Sequence, residues 1–158
     1  MRTIIVGIGN PIRSDDAVGL VVARILRERL AGTEGIDVAE LWAGGLRLVE
    51  AMAGYDRAVV IDAMATGDKP PGSVRRLTLA DLGAARNLTC AHDTSLPTAL
   101  ELWRRSSVPV PEDIAIWGIE GKDMLTLSEQ LSQPVDEAVP VVAAAILEDL
   151  RVCQRSAT

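Results

Sequence analysis

The chain has 158 residues, 48% of them hydrophobic, and a formal net charge of −6. That length and composition suit a single globular domain, 1–158, with a sizeable core, and exclude a disordered chain. The acidic balance and the lack of a basic tract argue against a nucleic-acid partner, and no apolar stretch reaches membrane-spanning length.

Aromatic residues are only 3% and Phe is absent, so Val, Ile, Leu and Ala must build the core. Such cores are usual between helices and a parallel sheet. Cys90 and Cys153 lie far apart and suggest no disulfide framework. Met1-Arg2-Thr3 leads directly into a strand with no signal peptide, so a cytoplasmic protein with reduced thiols is expected.

Residues 3–8 read as the first strand. Residues 15–30 read as a helix, with Val18, Val21, Val22, Ile25 and Leu26 at helical spacing and Ser14 or Asp15 available as its cap. Ile36 to Leu41 is a short second strand. Gly44-Gly45 opens a helix through Met52, with Leu46, Val49 and Met52 on one face. Ala58 to Ile61 is an apolar third strand ending in Asp62. Val74 to Leu79 alternates as an edge strand does, with Arg75 toward solvent.

Ala80 to Arg86 reads as a short helix and loop, and a connection with Cys90, Ala91 and His92 follows. Thr94, Ser95 and Pro97 mark a helix start, and Leu96, Leu100 and Trp103 its buried face. Ile114 to Ile119 is the last strand, running into Glu120. Residues 134–152 form the closing helix, which Pro140 either kinks or shifts to a start nearer Ala138. Residues 151–158 are expected to fray. The order β-α-β-α-β-β-α-β-α predicts a mainly parallel sheet with helices on both faces.

The junction between first strand and first helix is Gly7-Ile8-Gly9-Asn10-Pro11-Ile12-Arg13-Ser14-Asp15-Asp16. Gly7 and Gly9 resemble the start of a dinucleotide fingerprint, which makes a nucleotide-binding α/β domain one alternative. However, Ile12 stands where its third glycine should pack helix on strand. The bland reading is a tight turn needing small residues. Of the two adjacent carboxylates, one can cap the helix while the other projects over the sheet edge.

Asp62, directly after a buried parallel strand, would lie at the same carboxyl edge, although an Asp there is often only a loop-bonding residue. His92 is the sole histidine, and a lone histidine is more often structural or exposed. Two carboxylates and one imidazole would nevertheless form a mixed O/N donor set with open positions, suited to nickel, zinc or iron. No G-x-S-x-G elbow or H-E-x-x-H occurs. Cys90 and His92, two residues apart, are poorly spaced for a nucleophile and its base, and Cys90 reads as a packed residue.

The set G-x-G-N-x4-D-D, Ile61-Asp62-Ala63 and His92-Asp93 resembles the hydrogenase maturation endopeptidases over roughly residues 3–150. Four further stretches, Gly44–Leu48, Gly54–Arg57, His92–Glu101 and Trp117–Glu120, resemble the branch serving soluble, cofactor-linked hydrogenases. The resemblance implies an α/β/α sandwich: a twisted, mainly parallel five-stranded sheet with one antiparallel edge strand. It implies removal of the C-terminal extension from a nickel–iron hydrogenase large-subunit precursor after nickel insertion.

The family's metal-contacting residues carry over to Asp16, Asp62 and His92, with nickel supplied by the substrate. Another divalent metal could occupy the site in isolation. Gly44, Gly45 and Glu120 are candidates for lining the peptide groove. Two departures stand out. Ala17 occupies a frequent glycine position, and Glu40-Leu41-Trp42-Ala43 replaces an Asp-Gly/Cys-Gly-Thr motif. A non-catalytic chaperone holding the precursor is the other alternative.

Overall fold

Buried strands with branched side chains organise the chain, and the computed structural model describes residues 1–42, 44–82 and 96–156 of it. In chain order the elements are β1 (Thr3–Ile8), a 3₁₀ turn (Ser14–Ala17), α1 (Val18–Arg29), β2 (Ile36–Leu41), α2 (Leu46–Met52), β3 (Arg57–Met64), β4 (Val74–Leu77), α3 (Leu79–Leu82), α4 (Leu96–Arg105), β5 (Asp113–Glu120) and α5 (Gln133–Ser156). The sheet order is β2-β1-β3-β5-β4. All pairings are parallel except β4 with β5.

Alternation along β1 and β3 splits the core into two layers. Ile5, Val59 and Ile61 pack against Val18, Val22 and Leu26 of α1 and Val139, Val142 and Ile146 of α5. Ile4, Val6, Ala58 and Val60 pack against Leu48, Val49 and Met52 of α2 and Ala99 and Leu100 of α4. Each fully buried aliphatic side chain contributes about 1.5–3 kcal/mol. The result is the expected five-stranded α/β/α sandwich with an antiparallel edge strand.

The chain leaves β1 toward β2 on one side and then crosses to β3 on the other. The point of reversal therefore lies between the carboxyl ends of β1 and β3, where open α/β sheets hold ligands. β3 outruns β1 there. Its pairing with β1 ends at Gly7↔Ile61, whereas its pairing with β5 continues to Met64↔Glu120. The 9–17 segment fills the step this leaves.

Several boundaries differ from expectation. Asp62 lies within β3, paired with Gly118, because β5 extends the ladder past the apolar run. Residues 15–30 begin as a 3₁₀ turn, and neither Ser14 nor Asp15 caps α1. Arg75 is half-buried rather than solvent-facing, because Thr66, Asp68 and Glu120 draw it over the sheet end. α5 starts before both proposed starts, with the Ser132 carbonyl accepting from the Val135 and Asp136 amides. It carries Pro140 inside it and continues to Ser156, since no glycine or proline interrupts residues 151–156.

Candidate active site

Glycines let the strand-to-helix junction close tightly. A Cβ at Gly9 would collide with the Asp16 carbonyl oxygen, and one at Gly19 with the Ile8 and Ile61 carbonyl oxygens. Gly19, inside α1, thus does the helix-on-strand packing that Ile12 could not. The Asn10 backbone N–H and Arg13 both lie close enough to the Asp16 carboxylate to favour its charge. Asp16 is half-buried.

Asp62 is 3% exposed and, among the described residues, accepts one bond, from the Ala63 amide at 2.8 Å. Burial pushes its carboxyl well above the ordinary Asp range, and the nearby negative charge of Asp16 pushes it further. Burial also raises Asp16, against the opposing effects of Arg13 and the Asn10 amide. Among the described residues neither carboxylate belongs to an ion pair. The other buried charge of β3 is handled oppositely: Arg57, 1% exposed, pairs with Asp113 at 3.0 Å and Asp149 at 2.7 Å. Two acids close enough for the charge of one to raise the other, with no ion pair to either among the described residues, mark a candidate functional site. A divalent ion is what would let both ionise together.

The remaining candidates fall out as follows. His92 lies outside the described residues, and no third His, Cys, Asp or Glu joins the two aspartates among those described. Gly44 and Gly45 follow β2 at the same sheet edge, with Gly45 at φ 59°, a left-handed value that favours glycine there. Glu120 is 2% exposed and faces inward: Oε1 accepts from the Thr66 and Gly67 amides, both at 2.8 Å, and Oε2 from the Thr66 hydroxyl at 2.7 Å. Its carboxylate thus holds the turn after β3.

Asp15 is the residue that sequence reasoning undervalued. It is fully buried and accepts bonds from Lys122, Asp123 and Ser132. A second carboxylate next to Asp16, more than one helix cap requires, was the only signal for it.

A family model described as hydrogenase maturation protease matches residues 20–149. The chain belongs to the hydrogenase maturation protease family. It is accordingly a peptidase of hydrogenase maturation, as the resemblance implied. It is 22% identical over 152 residues to the hydrogenase 2 maturation protease of Escherichia coli, covering 94% of this chain and 92% of that one. Its fold is similar to that of the hydrogenase maturating endopeptidase HybD of E. coli, with TM-score 0.83, 22% identity and coverage of 97% and 94%. It is also similar to the [NiFe] hydrogenase maturation protease HybD of Thermococcus kodakarensis, with TM-score 0.68, 28% identity and coverage of 95% and 99%.

Proposed function

We propose that the chain releases the C-terminal extension of a nickel–iron hydrogenase large-subunit precursor once nickel is in place, with Asp16, Asp62 and His92 contacting that nickel. The substrate serves the soluble, cofactor-linked branch, as the stretches Gly44–Leu48 and Trp117–Glu120 suggest. The observation that carries the reading is the pair Asp16 and Asp62 at the switch point of the sheet, close enough for the charge of Asp16 to raise Asp62 and in no ion pair among the described residues. α4, which begins four residues after His92, packs on the α2 layer, the side toward which Asp62 points by alternation from Val60.

In this reading the metal comes with the substrate. With no cation present, burial disfavours the charged form of both acids and the charge of Asp16 disfavours that of Asp62, so a cation-free precursor is held weakly. Nickel in the precursor offsets that penalty and docks the cleavage region. A metal held there by Asp16, Asp62 and His92 could also polarise a carbonyl or water as a Lewis acid. Gly44 and Gly45 line the peptide groove, and Glu120 supports it by holding the turn at Thr66. Exposed Ile12, Trp42, Leu125 and Leu127 on the flanking segments offer apolar contacts for an extended tail, which could pair by strand addition.

The test is direct. Nickel-loaded and nickel-free precursors are incubated with the protein, and release of the C-terminal peptide is followed by mass. Release from the loaded form only is expected, and equal release from both would sink nickel gating. His92→Ala is expected to abolish release, and unchanged release would remove His92 from the site.

A further inference from the structure

We propose that Asp15 is a positioning residue, a buried latch that clamps the 121–132 segment onto the Asn10–Asp16 loop and so sets the Asp16 carboxylate over Asp62. The inference rests on the reading of Asp16 and Asp62 as the nickel-contacting pair.

The geometry is dense for one side chain. Asp15 Oδ2 accepts from the Lys122 amide, the Asp123 amide and the Ser132 hydroxyl, each at 2.8 Å, and Oδ1 accepts from the Ser132 amide at 2.7 Å. These donors lie 107 to 117 residues away in sequence. Four donors thus converge on the two oxygens of one side chain. The backbone closes the same seam: the Asp15 amide donates to the Asp123 carbonyl at 3.0 Å, the Ser14 amide to the Ser128 carbonyl at 2.8 Å, and the Ser128 amide to the Ile12 carbonyl at 3.0 Å. The Ser14 hydroxyl donates to the Gln130 carbonyl at 3.1 Å.

The latch sets Asp16 because the two residues are successive in one short turn. Ser14 sits at φ 47°, a left-handed value uncommon for a residue with a side chain. Asp15 enters the protein on the 121–132 side, while Asp16 abuts Gly9 on the other. Asp16 is therefore held between a glycine that admits its carbonyl and a neighbour anchored by four bonds. The Ser132 carbonyl also starts α5, so one carboxylate joins the exits of β1 and β5 to the beginning of a core helix. Among the described residues, Lys122, Asp123 and Ser132 meet the loop at Asp15.

The test uses Asp15→Asn and Ser132→Ala in the full chain, with Asp16→Asn as control. An amide at position 15 turns an N–H₂ toward at least one of the donors, whereas Ser132→Ala removes a single hydroxyl and keeps the proposal testable should Asp15→Asn not fold. Assays run well below each variant's melting temperature, so that only folded protein is compared. Faster amide exchange at Lys122, Asp123 and Ser132 is expected in Asp15→Asn. Nickel affinity of the isolated protein, by calorimetry, and release from nickel-loaded precursor are both expected to fall, roughly 10–100-fold for Asp15→Asn and less for Ser132→Ala. A purely structural role would lower the melting temperature and leave both quantities of the folded protein within about twofold of wild type, which would overturn the latch. If Asp16→Asn is inactive while the other two variants are not, the latch alone fails. If Asp16→Asn is itself unchanged, the reading of the site fails and the latch with it.

Discussion

The Asp62 carboxyl lies within the field of Asp16, and after burial that neighbour is the strongest influence holding its proton on. The relation is asymmetric. Asp62 is fully enclosed with one amide donor, whereas half-buried Asp16 has both an amide and Arg13 to favour its charge. The pair therefore ionises Asp16 first and Asp62 last. Replacing Asp16 by Asn is expected to lower the Asp62 pKa while leaving it above the ordinary range, because burial persists. Carboxyl ¹³C shifts followed through a pH titration measure this directly.

The same raised values fix the sign of a stability effect. A carboxyl whose folded pKa exceeds its unfolded value stabilises the fold fully below the unfolded pKa, near 3.8 for Asp, and that contribution is lost as pH rises through the folded pKa. Wild type is thus expected to lose stability above the ordinary Asp range from this pair. Asp62→Asn should flatten that dependence and be as stable as wild type, or more so, near neutral pH. Urea midpoints at several pH values decide it, and a variant that weakens steadily as pH rises would contradict the assignment.

A divalent cation should reverse that loss. An ion bound only by the native pair stabilises it by about 2.7 kcal/mol at a hundredfold excess over its dissociation constant. Nickel is expected to raise the wild-type melting temperature more at higher pH, where protons compete less, and to leave Asp62→Asn unmoved. Thermal melts with and without nickel supply the measurement.

Gly19 is expected to tolerate no side chain. Its missing Cβ lets α1 lie against the carbonyl oxygens of Ile8 and Ile61. Gly19→Ala should cost about 1–3 kcal/mol or more, since backbone rather than a flexible side chain must move. A shift in the denaturant midpoint at unchanged slope would report it.

Glu120 should behave as a support of the turn at Thr66. Glu120→Ala leaves the Thr66 and Gly67 amides without their acceptor, at a cost of about 1–3 kcal/mol for each group left unsatisfied. Glu120→Gln keeps an oxygen for both amides and should lose less than half as much. Equal losses in the two variants, by chemical unfolding, would show that the charge facing Arg75 matters more than the acceptor.

Much of this was legible in the sequence because it is local. Apolar or alternating runs marked the strands, and helical spacing marked α1, α2 and α4. Strand parity and the alternating order brought Asp62 and the Asp15-Asp16 loop to one edge. The errors share a cause. The length of β3 depends on β5, the burial of Arg75 on Glu120, and the missing cap of α1 on Lys122, Asp123 and Ser132. Periodicity carries no information about partners so distant in the chain.

The sequence by itself determined a parallel α/β sandwich and an acidic loop at its carboxyl edge, because side-chain period and chain order dictate which faces are buried and where strands end. The resemblance already pointed to Asp16 rather than Asp15, and the tertiary structure supplied a physical reason for separating the two adjacent aspartates. The donors of a segment more than a hundred residues away claim Asp15, and the step between β1 and β3 leaves Asp16 to face Asp62. Two chemically identical side chains acquire different roles because a carboxylate takes its character from the donors, charges and burial around it.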